Sequence, residues 1–325
     1  MNFETKNNEL RKIIKEKLSP FITTDCCLLS LPYRHTNVGD FLIWQGAECL
    51  LKELSVKCVY RAPILEYNQK RIPPKTTILL NGGGSFGDTW ESAPTTWRQI
   101  IKECPDNKII ILPQTVFYSD KEKLLSDADL LGRHNNLVLC ARDNRSYEIL
   151  KQYFHSNTIL LVPDMAFYIP YNELQKYQKT KIKIKNNEKT LFLKRADKEL
   201  NTDIDYSHVP KDNIDISDWI TIDKRPLSFF ILCKLWRLRS KAPCFQRIID
   251  IYAYYLYKND MIKKGVEFIS KYNNVFATRL HAAILCCLLH KSFVLFNNSY
   301  GKNSSFFETW LTDLDNVMFH TQGKG

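Results

Sequence analysis

Short apolar runs alternate with helical patterns along the chain, the rhythm of α/β architecture with parallel sheets. Cys26 to Leu31 reads as a buried strand, Asn37-Val-Gly-Asp40 as a turn and Phe41 to Leu54 as a helix. Thr77 to Leu80 reads as a strand running into the loop Gly82-Gly-Gly-Ser-Phe-Gly-Asp88, and Pro94 suits the first turn of a helix through Cys104. Strands follow at Lys108 to Leu112, Leu137 to Ala141 and Ile159 to Val162, with a helix from Asp143 to Tyr153. The second half repeats the grammar. Thr190 to Leu193, Asn274 to Ala277 and Phe293 to Phe296 read as strands. Pro226 to Arg239, Phe245 to Lys271, Arg279 to Leu289 and Phe306 to Leu314 read as helices, the second broken near Asn259-Asp260, and Asn297 to Asn303 as a turn.

Between the halves, Tyr171 to Lys189 is rich in Lys, Gln, Asn and Tyr and has little periodicity. The organisation expected is a Rossmann-like domain over 1–170, a linker over 171–189 and a second Rossmann-like domain over 190–325, its last helix packing back on the first. The two would face a cleft, with ligands at the carboxyl ends of the strands. A length of 325 residues suits two domains. The 46 Lys and Arg against 35 Asp and Glu add an anionic partner to the picture. Nucleic acid is not that partner, since no recognition helix, aromatic RNA motif or zinc finger appears. The ten cysteines sit in apolar runs with no CxxC pair, which reads as buried thiols in a reducing cytosol rather than disulfides. No apolar run approaches the length of a membrane span.

Candidate chemistry lies at strand ends. Of 11 glycines, four fall between Gly82 and Gly87. This is GGGxxGD, neither a dinucleotide fingerprint nor a P-loop. It is either a close-packed turn or a floor for a small anion or sugar, through Gly83 and Gly84, with Asp88 pointing into the cleft. Asp40 either caps its helix or, with Asn37, orders the neighbouring glycine loop or meets an acceptor. Asp143 suits a helix cap, while Arg142 at a strand end faces the cleft. Thr278-Arg-Leu-His281 opens a helix that is otherwise apolar to Leu289. A helix amino terminus favours anions, Arg279 can clamp a carboxylate or phosphate, and His281 can act as acid or base. Arg195 ends the first strand of the second domain and points at the same cleft. Lys194, Lys198 and Glu199 read as solvated. Asn298, Tyr300 and Lys302 line the loop after the last strand. Phe229, Phe230, Leu235, Trp236 and Leu238 interleave with Lys234, Arg237, Arg239 and Lys241. That pattern is either a packing helix with a solvated charged side or one lying on an anionic membrane. Asp203-Ile-Asp205 is a nominal DxD in a polar loop and carries no metal site.

Asn37-Val-Gly-Asp40, Asn81 to Asp88, Leu112-Pro-Gln-Thr115, Ala141-Arg-Asp143 with Ser146-Tyr147, Pro163-Asp164, Thr278-Arg-Leu-His281 and Asn298 to Lys302 occur in one order. That series resembles the polysaccharide pyruvyl transferase family from about residue 30 to 315. The resemblance implies a glycosyltransferase-B-like fold and transfer of pyruvyl from phosphoenolpyruvate to two hydroxyls of a sugar, as a cyclic ketal. It implies donor binding and catalysis by Arg279 and His281, a second donor-binding arginine placed at Arg195 with Arg142 as its rival, and a catalytic acidic residue placed at Asp88 in preference to Asp40. Phosphoenolpyruvate would be a co-substrate, with no metal and no separate cofactor. A glycan acceptor on a polyprenyl diphosphate carrier, and a cytoplasmic enzyme at the inner membrane face, complete the expectation. A nucleotide-sugar-dependent glycosyltransferase of the same fold is the alternative.

Overall fold

The computed structural model describes residues 1–178, 189–239 and 245–320. Two sheets form, and every strand pairing in them is parallel. The first holds β1 (Cys26–Leu31), β2 (Cys58–Pro63), β3 (Thr77–Leu80), β4 (Gly83–Gly87), β5 (Ile109–Phe117), β6 (Leu137–Ala141) and β7 (Thr158–Leu161). Their order is β2-β1-β3-β5-β6-β7, with β4 beside β5. β1, β3 and β6 are buried along their whole length, because helices cover both faces of a parallel sheet and alternation disappears. The connecting helices include α1 (Phe3–Leu18), α2 (Val38–Glu53), α3 (Ser92–Glu103), α4 (Lys121–Gly132) and α5 (Asn144–Tyr153).

The second sheet holds β8 (Thr190–Leu193), β9 (Ile214–Ser217), β10 (Asn274–Ala277), β11 (Phe293–Phe296) and β12 (Val317–His320), in the order β12-β11-β10-β8-β9. Around it run α6 (Tyr171–Gln175), α7 (Ile220–Asp223), α8 (Leu227–Leu238), α9 (Phe245–Tyr252), α10 (Lys258–Ser270), α11 (Leu280–Leu288) and α12 (Lys302–Trp310). A π-helical turn, Ala253–Tyr257, joins α9 to α10, just before the break expected at Asn259.

Contacts divide the chain into two units. One is Glu9–Tyr33 with Ile43–Tyr168 and contains the seven-stranded sheet. The other is Met1–Asn8, Arg34–Leu42 and Ile169–Gly325 and contains the five-stranded sheet. The boundaries expected at 170 and 190 thus acquire two excursions. Lys6 pairs with Asp313 and Asn7 bonds the Cys287 carbonyl, tying the amino terminus into the second unit. Val38 packs on Gly265, and the His35 carbonyl accepts from Tyr257. Of the expected linker, residues 179–188 lie outside the described residues.

Three local expectations are corrected. The glycine loop after β3 is largely a strand. A Cβ at Gly87 would lie 1.7 Å from the Phe117 carbonyl oxygen, and Gly87 has φ of +132°, so only glycine lets β4 lie this close to β5. β5 runs on to Phe117, past Pro113, with a register shift against β6 between Ile111 and Gln114 where the proline cannot donate. The last helix begins at Lys302 rather than Phe306. The Asn298 side-chain oxygen accepts from the Lys302 N–H at 2.7 Å, so the polar turn is short and ends in a helix start.

Candidate active site

In the five-stranded sheet the strand order reverses between β8 and β10. Leu193 is level with Ser217 on one side and with Ala277 on the other, and Ala277 with Leu295. The residues after these four strands therefore emerge at one edge, the place where open α/β sheets bind ligands. They are Arg195 after β8, Asp218 after β9, Thr278 to His281 after β10 and Asn298 after β11.

The structure gathers Arg195, Arg279, Asn298 and Lys302 there and adds three carboxylates. Arg279 donates through Nε and Nη2 to Asp218, as a fork, and through Nη2 to Asp197 at 3.1 Å. Asp218 is buried and also accepts from the Trp219 N–H at 2.7 Å. Arg195 donates to Asp197 at 2.8 and 3.1 Å and to Glu199 at 2.7 Å. Glu199 takes the Lys302 ammonium too, and the Asn298 amide at 3.4 Å. Asp197 is thus a bridge between the two guanidinium groups, and Glu199 a bridge between Arg195 and Lys302. Thr278 fastens the arrangement, its hydroxyl accepting the Arg195 N–H at 2.9 Å.

The electrostatics follow from that lattice. Burial opposes the charge on Arg279, but Asp218 and Asp197 outweigh it, so its pKa stands above the usual arginine value. Burial likewise opposes ionisation of Asp197, but Arg195 and Arg279 outweigh it and hold its pKa below the carboxylate range. Fixed acids orient the cations, which a cation among flexible surface groups would not be. Among the described residues Arg279 makes its bonds through Nε and Nη2, and Nη1 has no acceptor. No side chain caps α11 at Arg279, so the start of that helix keeps amide donors for a ligand.

His281 sits in the first turn of α11 and is half-buried. A Cβ at Gly39 would come within 2.5 Å of its Cγ and Nδ1 and 2.7 Å of its Cβ. Gly39, of the Asn37-Val-Gly-Asp40 motif, is therefore the wall against which the imidazole lies. The expected turn is in fact the start of α2, which begins at Val38 rather than Phe41: Asn37 precedes it, accepting from the Gly39 N–H at 3.3 Å and donating to Asp40 at 3.2 Å, while Asp40 also meets His35 Nδ1 at 3.4 Å.

The other expected site residues lie in the seven-stranded unit. Asp88 accepts from the N–H groups of Ser119 and Asp120 and from the Ser119 hydroxyl. Burial opposes its charge, but these donors outweigh it and hold its pKa low. Arg142, expected to face the cleft, is 1% exposed; it pairs with the buried Asp164 at 2.7 Å and bonds Thr115 at 2.9 Å. Asp143 caps α5 through the Ser146 N–H and accepts from the Thr115 hydroxyl. These motif residues knit the strand ends of that sheet together. Gly83, at φ +143°, continues the glycine strand, and Gly84 follows it.

Glu199, expected in solvent, is buried as the acceptor between two cations. Asp197 and Asp218 were not singled out by the sequence. The signal was present in Asp197, two residues beyond Arg195. Asp218 follows β9, whose Ile-Asp-Ile-Ser gives no apolar run and hides the strand.

The family model for polysaccharide pyruvyl transferases matches residues 37–300, which span both motif sets just described. The chain belongs to the polysaccharide pyruvyl transferase family. EpsO of Bacillus subtilis, provisionally named a pyruvyl transferase, is 30% identical over 85% of this chain and 82% of its own length. Pyruvyl transferase 1 of Schizosaccharomyces pombe is 26% identical over 85% of the chain and 67% of its own length. In fold, the chain is similar to the crystal structure of a functionally uncharacterised protein from Klebsiella pneumoniae, with a TM-score of 0.63 and 18% identity over 96% of this chain and 99% of that one. The family assignment makes the chain a transferase of polysaccharide biosynthesis and implies a glycan acceptor.

Proposed function

We propose that the protein moves the pyruvyl group of phosphoenolpyruvate onto two hydroxyls of a sugar carried on a polyprenyl diphosphate, forming a cyclic ketal and releasing phosphate. In this reading the two sheets are the Rossmann-like domains of a glycosyltransferase-B-like fold. The observation that carries the donor assignment is Arg279, clamped on two carboxylates and itself the residue at the uncapped start of α11. A small, doubly or triply charged anion matches that site. Arg195 is the second donor arginine rather than Arg142, because it shares Asp197 with Arg279 at one strand edge while Arg142 belongs to the other unit and is paired with Asp164. Asn298 and Lys302 hold Glu199 and, through it, Arg195.

In the chemical step, His281 gives a proton to the methylene carbon while a sugar hydroxyl attacks the adjacent carbon and loses its own proton. A second hydroxyl then attacks the same carbon, breaking its bond to the phosphate oxygen; phosphate leaves and the second hydroxyl's proton passes to the now neutral His281. Positive charge developing there is tolerated by the neighbouring carboxylates. We assign the acceptor of the hydroxyl proton to Asp40, next to Gly39 on the His281 wall. Asp88 is already saturated by three donors, and its lowered pKa makes it a weak base. The scheme calls for no metal and no cofactor beyond the co-substrate.

Calorimetry of the purified protein with phosphoenolpyruvate tests the donor, with Arg279→Lys as the comparison. Binding by the wild type and at least about tenfold weaker binding by the variant are expected, since lysine keeps charge but loses the fork. Thermal stabilisation by a nucleotide sugar and none by phosphoenolpyruvate would replace this reading with glycosyl transfer.

A further inference from the structure

Half of the strongly exposed large apolar side chains among the described residues fall in one stretch. They are Leu227, Phe230 and Ile231 on α8, and Ile248, Ile251, Tyr255 and Leu256 on α9 and the π-helical turn, all 40–74% exposed. On α8 the spacing i, i+3, i+4 puts Leu227, Phe230 and Ile231 on one face, and the exposed Lys234 continues it at i+7. Phe229 and Leu232 occupy the opposite, buried face. Ile248, Ile251 and Tyr255 repeat the pattern, with Ile249, Ala253 and Tyr257 buried behind them. The two helices are neighbours, joined by the Tyr252 hydroxyl on the Ser228 carbonyl at 3.2 Å. A soluble protein rarely leaves two adjacent helices uncovered like this without a partner for them.

The charge around this face chooses the partner. Lys224, Arg225, Lys234, Arg237 and Arg247 are exposed on the same elements, and Asp250 is the only acidic residue from 224 to 258. Asp250 accepts from Gln246 at 2.8 Å. Of the flanking acids, Asp223 accepts from the Ser217 hydroxyl, and Asp260 from the Ser228 hydroxyl and Lys264. Lys224 and Pro226 also line a pocket of about 260 Å³ with Lys264 and Lys271, balanced there by Glu267 alone. A second copy of the chain would set this positive surface against itself. An anionic bilayer supplies both the apolar depth and the phosphates. No helix among the described residues is long and apolar enough to cross a membrane, so the contact is with its surface.

We infer that α8, α9 and the π-helical turn form a monotopic docking face for anionic lipid, with the apolar residues entering the headgroup region and the basic ones meeting phosphate. The inference rests on surface chemistry and not on the identity of the donor. Flotation of the full chain with phosphatidylcholine vesicles, with and without phosphatidylglycerol, tests it. Binding only to the phosphatidylglycerol vesicles is expected. Phe230→Asp with Ile251→Asp, and separately Lys234→Glu with Arg237→Glu, should each lower binding by at least about tenfold, with unchanged circular dichroism. Exposed positions are chosen so that both variants fold. Absence of flotation with phosphatidylglycerol overturns the inference. So does an apolar variant that binds as the wild type does, which would mean adsorption by charge alone. A dimer in sedimentation that the apolar variant dissolves would assign the face to self-association instead.

Discussion

Glycine at position 39 does its work through what it lacks. Its φ is ordinary, yet the imidazole of His281 occupies the space that a Cβ would need. The contact is with the root of the side chain, which cannot swing aside as a long chain's tip could. Gly39→Ala should therefore displace the ring and lower kcat by at least about tenfold while leaving phosphoenolpyruvate binding near the wild-type value, a split that steady-state kinetics with calorimetry would resolve. Arg279 offers a contrasting case. Truncation to alanine leaves Asp218 buried beside two backbone donors, the N–H groups of Trp219 and Ala196, and no cation. Arg279→Ala should cost about 3 kcal/mol in denaturant unfolding, and Arg279→Ala combined with Asp218→Asn should recover part of it. Additive losses would show that the two residues do not act as a pair.

At the scale of elements, continuous apolar runs were the readable ones. Cys26 to Leu31, Thr77 to Leu80 and Thr190 to Leu193 appear with the predicted bounds because parallel strands buried on both faces carry an unbroken signature. β9 and β4 escaped for opposite reasons. β9 is an exposed edge strand with a polar sequence, and β4 is built from glycines that read as a turn. The Arg279 and His281 pair was legible because polar groups opening an apolar helix are out of place. Their acidic partners were not, since Asp197 and Glu199 sit in a segment that looks like a solvated loop until Arg195 and Lys302 fold over it. β4 makes its own prediction. With a carbonyl 1.7 Å from the hypothetical Cβ and φ at +132°, Gly87→Ala should detach β4 from β5, destabilising the protein by about 2 kcal/mol or more and speeding amide exchange in Phe86 and its neighbours.

Across the whole molecule, titration and thiol chemistry report on how tightly the units hold. Asp197 has its folded pKa depressed, so the stability it lends is present above the unfolded carboxylate value near pH 4 and is lost as pH falls through the folded value. Asp197→Asn should flatten the stability–pH curve below about pH 4 and leave its shape at neutral pH unchanged, as measured by urea unfolding at stepped pH. Burial pushes the thiols of Cys27 and Cys104 up to about 11 and that of Cys286 up to about 12. A thiol reagent at neutral pH should therefore leave these three unmodified in the native protein and reach them only on unfolding, with peptide mass mapping as the readout. Labelling of Cys286 at the native rate of Cys233 would contradict its burial.

The excursion of Arg34–Leu42 into the carboxyl-terminal unit has a consequence for how the chain is made and cut. During synthesis this stretch emerges well before the strands and helices it joins, and it must wait for residues beyond 220 before Thr36 meets Thr221 and Gly39 meets His281. No single cleavage of the polypeptide yields that unit entire. A fragment starting at Ile169 would leave the His281 ring without its wall and Gly265 without Val38. Such a fragment should expose its apolar faces and aggregate, whereas adding a separate peptide covering residues 34–42 should compete for the vacated surface and shift it toward solubility.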